Sequence, residues 1–139
     1  GFYDGAPVFR VLPGFLAQWG IPAEGTKWKG KWAPLVDEEP GAERPTQFTK
    51  GTLSFAGSGD HSRGTHVFVA LAPSTTLGAQ PWEVPFGTVR EDSMSVVEAF
   101  TSQYGDVAQG PLVGGGAAYA QANYPEMAVM QRCVVEGEE

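Results

Sequence analysis

The sequence is short of the side chains from which catalytic machinery is usually assembled. Its 139 residues include one cysteine, Cys133, and two histidines, His61 and His66. A single cysteine excludes an intrachain disulfide and any zinc site built on paired cysteines. Its neighbours, Met130 to Val135, read as a strand, so a buried or half-buried thiol with no redox role is expected. No Gly-x-Ser-x-Gly elbow is present, and hydrolase chemistry is poorly supported. Positive charge is also scarce: 9 Lys and Arg stand against 16 Asp and Glu, for a formal net charge of -7. That sets aside nucleic acid as a partner, because such binding is driven by cations that neutralise phosphates. No apolar run approaches the ~20 residues that a membrane helix needs, and no charged leader precedes an apolar stretch.

Hydrophobic residues make up 42% of the chain and charged residues 18%, with 19 Gly and 11 Pro. This is the composition of a globular chain rich in turns, and it favours short strands over long helices. One domain over residues 1–139 is expected, and a chain of this size buries roughly two-thirds of its unfolded surface. Gly1-Phe2-Tyr3-Asp4-Gly5 reads as a turn inside a domain. Pro7 to Trp19 reads as two extended pieces broken at Pro13-Gly14. Residues 22–50 carry Lys27, Lys29 and Lys31 and then Asp37-Glu38-Glu39 among prolines and glycines, the pattern of a long solvated loop. Thr52 to Ala56 and Thr65 to Leu71 read as adjacent strands, and Phe86 to Val89 as a further extended piece. Ser95-Val96-Val97-Glu98 matches a capping box, with Val97, Phe100 and Tyr104 at helical spacing and Gly105 as the stop. Residues 105–116 read as a glycine-rich loop, 117–124 as a short helical turn, and Met127 to Val135 as a closing strand.

Local patterns single out few chemical candidates. Asp60-His61 sits in a turn-like stretch, and adjacent residues rarely converge on one metal. Gly57-x-Gly59 lacks the following helix that a phosphate-cradling loop needs. Arg10, between Phe9 and Val11, is either a plain surface charge or part of a functional face, and the local pattern favours the first. Strand alternation puts Phe9 and Val11 on one side, and Arg10 and Leu12 on the other.

Taken together, several blocks resemble the cyclophilins. Phe9-Arg10-Val11-Leu12-Pro13-Gly14-Phe15-Leu16-Ala17-Gln18 is similar to the family's Phe-His-Arg-Val-Ile-Pro-Gly-Phe-Met-x-Gln signature. Gly51-Thr52-Leu53-Ser54-Phe55-Ala56 and Thr65-His66-Val67-Phe68-Val69 resemble its Gly-x-Leu-Ser-Met-Ala and Ser-Gln-Phe-Phe-Ile. Pro85-Phe86-Gly87-Thr88-Val89 with Met94-x-Val96-Val97 resembles its Val-Phe-Gly-x-Val and Met-x-Val-Val. Tyr104-Gly105-Asp106 and Tyr124-Pro125-Glu126-Met127 resemble a subgroup common in bacteria.

The resemblance implies a mainly-β fold, a closed eight-stranded antiparallel barrel with capping helices. Members carry further strands and a helix before the Phe-Tyr-x-Gly turn, so the 139 residues are expected to be part of a longer polypeptide or to be completed by another segment. The implied activity is peptidyl-prolyl cis-trans isomerisation of X-Pro bonds in proline-containing peptides or proteins, with no cofactor or metal. Arg10 would be the catalytic donor. Phe15, Leu16, Phe68 and Leu77 would form the proline pocket, Gln18 would bond the substrate backbone, and Ala56 and Gly57 would line the groove. His66 stands where the family has a glutamine, Gly57 where it has an asparagine, and Trp82 is placed to fill the space of a pocket histidine. A second reading is a non-catalytic cyclophilin-like subunit or scaffold in a stable protein complex. The rewritten Trp82 region and the aromatic, lysine-bearing loop around Trp28 and Trp32 motivate it.

Overall fold

The computed structural model describes residues 1–38 and 48–137. Among them the strands are β1 Ala6–Pro7, β2 Arg10–Leu12, β3 Leu16–Trp19, β4 Thr52–Phe55, β5 Val67–Ala70, β6 Pro85–Thr88 and β7 Val129–Met130. The helices are α1 Gly25–Trp28, α2 Met94–Glu98 and α3 Gln109–Asn123.

The Pro13-Gly14 break is a tight turn. Phe15 N–H donates to Leu12 O at 3.0 Å, and Gly14 has φ 71°. Proline at the first central position and a positive-φ glycine at the second are what a type II turn requires. The turn folds β2 onto β3, and the sheet continues β2-β3-β5-β4-β6 with every pair antiparallel. β1 and β7 pair separately. The closed eight-stranded barrel implied by the resemblance is not formed among the described residues: the five-stranded sheet is open, with no ladder joining β2 to β6.

Register sorts the side chains. Arg10 lies opposite Gln18, Gln18 opposite Phe68, and Phe68 opposite Ser54, so these four form one row on one face of the sheet. The next row, Val11, Ala17, Val69 and Leu53, points the other way into a cluster with Val8, Val97 and Phe100. On the Arg10 side, Leu16, Phe48, Phe68, Ala70 and Leu77 form a second cluster. A third, around Phe9, Ile21, Val107, Leu112 and Ala120, seats α3. Burying an aromatic or aliphatic side chain of this size is worth about 1.5–3 kcal/mol, so these clusters hold the short strands that backbone bonding alone would leave marginal.

Several expectations need correction. Helix α3 runs through residues read as a glycine-rich loop and a short turn. It is two helical pieces joined at Gly116, whose φ of 59° is non-helical. A Cβ there would lie 2.1 Å from Ala23 O, and Leu112 is fully buried, so tertiary packing overrides the poor helix propensity of the glycines. Helix α2 starts at Met94 after a 3₁₀ turn at Glu91–Ser93. Ser95 is therefore inside the helix and not its cap, and Tyr104 lies beyond its end. β7 stops at Met130, leaving Cys133 exposed, since no strand among the described residues pairs with that stretch. Part of the 22–50 loop is ordered as the single turn α1, and 39–47, including Glu39, lie outside the described residues.

Candidate functional site

The row Arg10, Gln18, Phe68 floors a cleft of about 590 Å³. Its walls come from the turn after β2 (Phe15), the start of β3 (Leu16), the segment after β4 (Ala56, Gly57), and Leu77. Leu16, Phe68 and Leu77 are buried among Phe48 and Ala70, while Phe15 stands partly exposed at the mouth. Phe48 stacks on Phe68 with ring centroids 6.0 Å apart, which fixes the ring that floors the apolar end.

Arg10 is held from two sides. Its Nη1 donates to Gln18 Oε1 at 3.2 Å, and its Nε lies 3.2 Å from Asp106 Oδ2. The Nε contact is an ion pair whose alignment falls short of a hydrogen bond. Asp106 reaches this position because residues 105–107 run antiparallel beside β2. Val11 N–H donates to Gly105 O at 3.1 Å and Val107 N–H to Phe9 O at 3.3 Å. The Arg10 side chain keeps 27% of its surface exposed, so a ligand can reach a guanidinium whose orientation is already set.

The opposite wall is the 57–66 loop, and it is pinned from beneath. Arg63, within the stretch whose composition is turn-like, is buried. Its Nη2 donates to Val36 O at 2.7 Å, it pairs with Asp37 and Glu38, and its guanidinium lies 5.4 Å from the Phe55 ring. His61 N–H donates to Asp37 Oδ2, and Asp37 N–H to His61 Nδ1. These contacts tie the 33–38 segment to the loop and account for His61, whose φ of 54° places it in the left-handed region.

His66 lines the cleft and meets Phe9 edge-on at 5.6 Å. Burial pushes its imidazole below the usual range, because the charged form loses its water. The ring is therefore neutral at neutral pH, with one donor and one acceptor nitrogen, the same pair of functions a glutamine amide offers.

The structure thus brings Arg10, Phe15, Leu16, Gln18, Ala56, Gly57, His66, Phe68 and Leu77 to one cleft. Trp82 is not in the lining. It stands behind Gly57, where an added Cβ would come within 2.8 Å of Trp82 Cδ1 and 2.6 Å of Ser62 Oγ. Sequence reasoning missed Asp106, Glu83, Ser58, Ser62 and Gln109. Asp106 sits in the Tyr104-Gly105-Asp106 motif, yet only the fold shows that it meets Arg10. Glu83 also lines the cleft, and its Oε2 accepts from Gly78 N–H at 2.6 Å, closing the loop that carries Leu77. Among the described residues, no cluster of His, Cys, Asp and Glu could hold a metal ion, and no helix is long and apolar enough to cross a membrane.

Comparison with known proteins gives this cleft a context. The peptidyl-prolyl cis-trans isomerase of Synechococcus elongatus is 33% identical over 102 residues, covering 71% of this chain and 64% of that protein. A cyclophilin from Hirschia baltica superposes with a TM-score of 0.59 at 16% identity, over 78% of this chain and 57% of that one. A cyclophilin type peptidyl-prolyl cis-trans isomerase of Cryptosporidium parvum, crystallised in the presence of the dipeptide Ala-Pro, gives 0.52 at 20% identity, over 74% of this chain and 66% of that one. The chain therefore spans only part of these relatives, 57–66% of their lengths. The family model for cyclophilin type peptidyl-prolyl cis-trans isomerase/CLD matches residues 1–114, and the chain belongs to that family.

Proposed function

We propose that this chain provides the catalytic cleft of a peptidyl-prolyl cis-trans isomerase acting on X-Pro bonds of proline-containing peptides or proteins. The barrier is rotation about an amide with partial double-bond character, ~18–20 kcal/mol, and no covalent bond is made or broken. Twisting the amide localises a lone pair on the prolyl nitrogen. A donor fixed near that nitrogen binds the twisted state better than either planar isomer, and that difference is catalysis. In this reading the proline ring packs on Phe15, Leu16, Phe68 and Leu77, Gln18 and Ala56 hold the flanking backbone, and Arg10 supplies the donor. The observation that carries it is the Arg10 guanidinium held between Gln18 and Asp106 beside a buried apolar cleft floor. The Ala-Pro dipeptide present with the Cryptosporidium parvum relative supports the same class of ligand.

A hydrogen bond from a charged donor is worth about 1.5–3 kcal/mol, so Arg10→Ala should lower kcat/KM by roughly 10- to 150-fold. Arg10→Lys should recover little, since an ammonium cannot bond Gln18 and Asp106 in the guanidinium's planar geometry. Isomerisation of a Xaa-Pro reporter peptide followed by NMR exchange measures this. Equal rates for the parent and Arg10→Ala would remove the arginine mechanism, and a parent no faster than the uncatalysed exchange would leave the cleft as the binding surface of a non-catalytic subunit.

A further inference from the structure

Glu83 is the only Asp, Glu, Lys or Arg between Arg63 and Arg90, and it lines the Arg10 cleft. The residue is half-buried, and a carboxylate withdrawn from water costs free energy unless it is paired. Loop closure accounts for part of its placement. Glu83 Oε2 accepts from Gly78 N–H at 2.6 Å, and Glu83 N–H donates to Gln80 O at 3.1 Å. That role needs an acceptor and not a charge, because a glutamine carbonyl would accept the same bond. One hydrogen bond also leaves most of a carboxylate's acceptor capacity unused. The negative charge is what loop closure does not explain.

Nothing beside Glu83 cancels that charge. Among the described residues Arg10 is the one cation in the cleft lining, and its partner is Asp106 at 3.2 Å. The other ion pairs made by lysine or arginine join Lys50 to Glu98, Arg63 to Asp37 and Glu38, and Arg90 to Asp92, and none includes Glu83. His66 is kept neutral by burial. The cleft therefore holds one balanced cation and one unbalanced anion, in a chain whose net charge is -7.

We propose that Glu83 is a specificity-determining residue of the Arg10 cleft, which favours peptides with a lysine or arginine adjoining the proline. The place of the cation follows from Leu77. Glu83 is bonded to Gly78, the next residue, and Leu77 packs with Leu16 and Phe68, so the carboxylate lies beside the end of the cleft assigned to the proline ring. A neighbouring lysine can lay its methylene stem on the apolar wall while its ammonium meets the carboxylate. A glutamate there would be repelled by Glu83 and by the net charge of the whole chain. The reacting amide is untouched, so the preference belongs in KM and not in kcat. This inference rests on the isomerase reading for the position of the proline, but the preference for a cation does not depend on turnover.

The test uses a Xaa-Pro-Yaa reporter in three charge forms, with lysine, glutamine or glutamate placed once before and once after the proline. NMR titration measures binding and NMR exchange measures isomerisation. At one of the two positions lysine should lower both Kd and KM about two- to fivefold relative to glutamine, and glutamate should raise them. The three forms should share one kcat, and the difference in KM should shrink with added salt. Glu83→Gln keeps the acceptor for Gly78 N–H and should bring the lysine-to-glutamine ratio of KM close to one, while Glu83→Lys should invert the order of the charge forms. If lysine peptides bind more tightly through Glu83 but none is turned over, the isomerase reading fails and the preference stands. If the peptides are turned over and the lysine and glutamine forms share one KM at both positions, the preference is refuted alone. A lysine preference that survives Glu83→Gln, as it would if Glu83 only closed its loop, also overturns it.

Discussion

On the proposed isomerase reading, Asp106→Ala tests whether Arg10 acts because it is charged or because it is aimed. The carboxylate lies 3.2 Å from Arg10 Nε, and its side chain is 56% exposed. Two effects oppose each other. Removing an anion beside the guanidinium makes the cation a stronger donor, by no more than about 1 kcal/mol for charges 4 Å apart in bulk water, and screening by salt reduces this further. Removing the same anion frees part of an arginine side chain that carries roughly 2 kcal/mol of rotamer entropy. At about 1.36 kcal/mol per tenfold, complete disordering would cost roughly 30-fold in rate. Gln18 retains one hydrogen bond to Nη1, so the expected loss is about 3- to 10-fold in kcat/KM. Orientation prevails because solvent screens the lost field but does not restore the lost geometry. Asp106→Asn keeps a neutral acceptor at the same place and should recover most of the rate. Folding stability should change by less than about 1 kcal/mol, as for other exposed pairs. The assay is NMR exchange of a Xaa-Pro peptide, with urea unfolding as the control. A faster Asp106→Ala variant, or one with unchanged kcat/KM, would refute the positioning argument.

His66 should make stability pH-dependent. Its folded-state pKa lies below the ordinary value of 6.5, so the unfolded chain takes up the proton first. The associated stability is present in full above about pH 6.5 and is lost as pH falls from there to the folded-state pKa. Urea unfolding between pH 5 and 8 should show this slope flattened in His66→Gln, and identical profiles would contradict it. Gly57→Asn installs the amide that the resemblance implies at this position, but its Cβ would collide with Trp82 and Ser62. It should destabilise the fold by about 1–3 kcal/mol, and Trp82→Ala in the same chain should restore part of that in a thermal melt. Additive losses in the double variant would show that Trp82 is not the obstacle.

How much was legible in the sequence depends on the range of the interaction. Pro13-Gly14 makes its turn from local φ preferences, and period-2 alternation separates Val11 from Arg10 and Leu12, whereas the row Arg10, Gln18, Phe68 needs the strand register. The turn and the alternation are properties of neighbouring residues and survive without a fold. The glycines of α3 misled for the same reason: local propensity argues against a helix there, and only the seat of Leu112 in its core and the approach of Gly116 to Ala23 reverse the balance. Ser95 and Cys133 failed in parallel ways, since a cap or a strand needs partners that a short pattern cannot guarantee.

By itself the sequence determined the Pro13-Gly14 turn, the alternation around Arg10 and which blocks mark the family. Only the tertiary structure decided what stands beside them: Asp106 against Arg10, a buried Arg63 under the loop wall, and Trp82 behind Gly57 instead of in the cleft. Each of these is a meeting of side chains far apart in the chain, through packing and charge. Such contacts depend on distances in space, which sequence spacing does not encode.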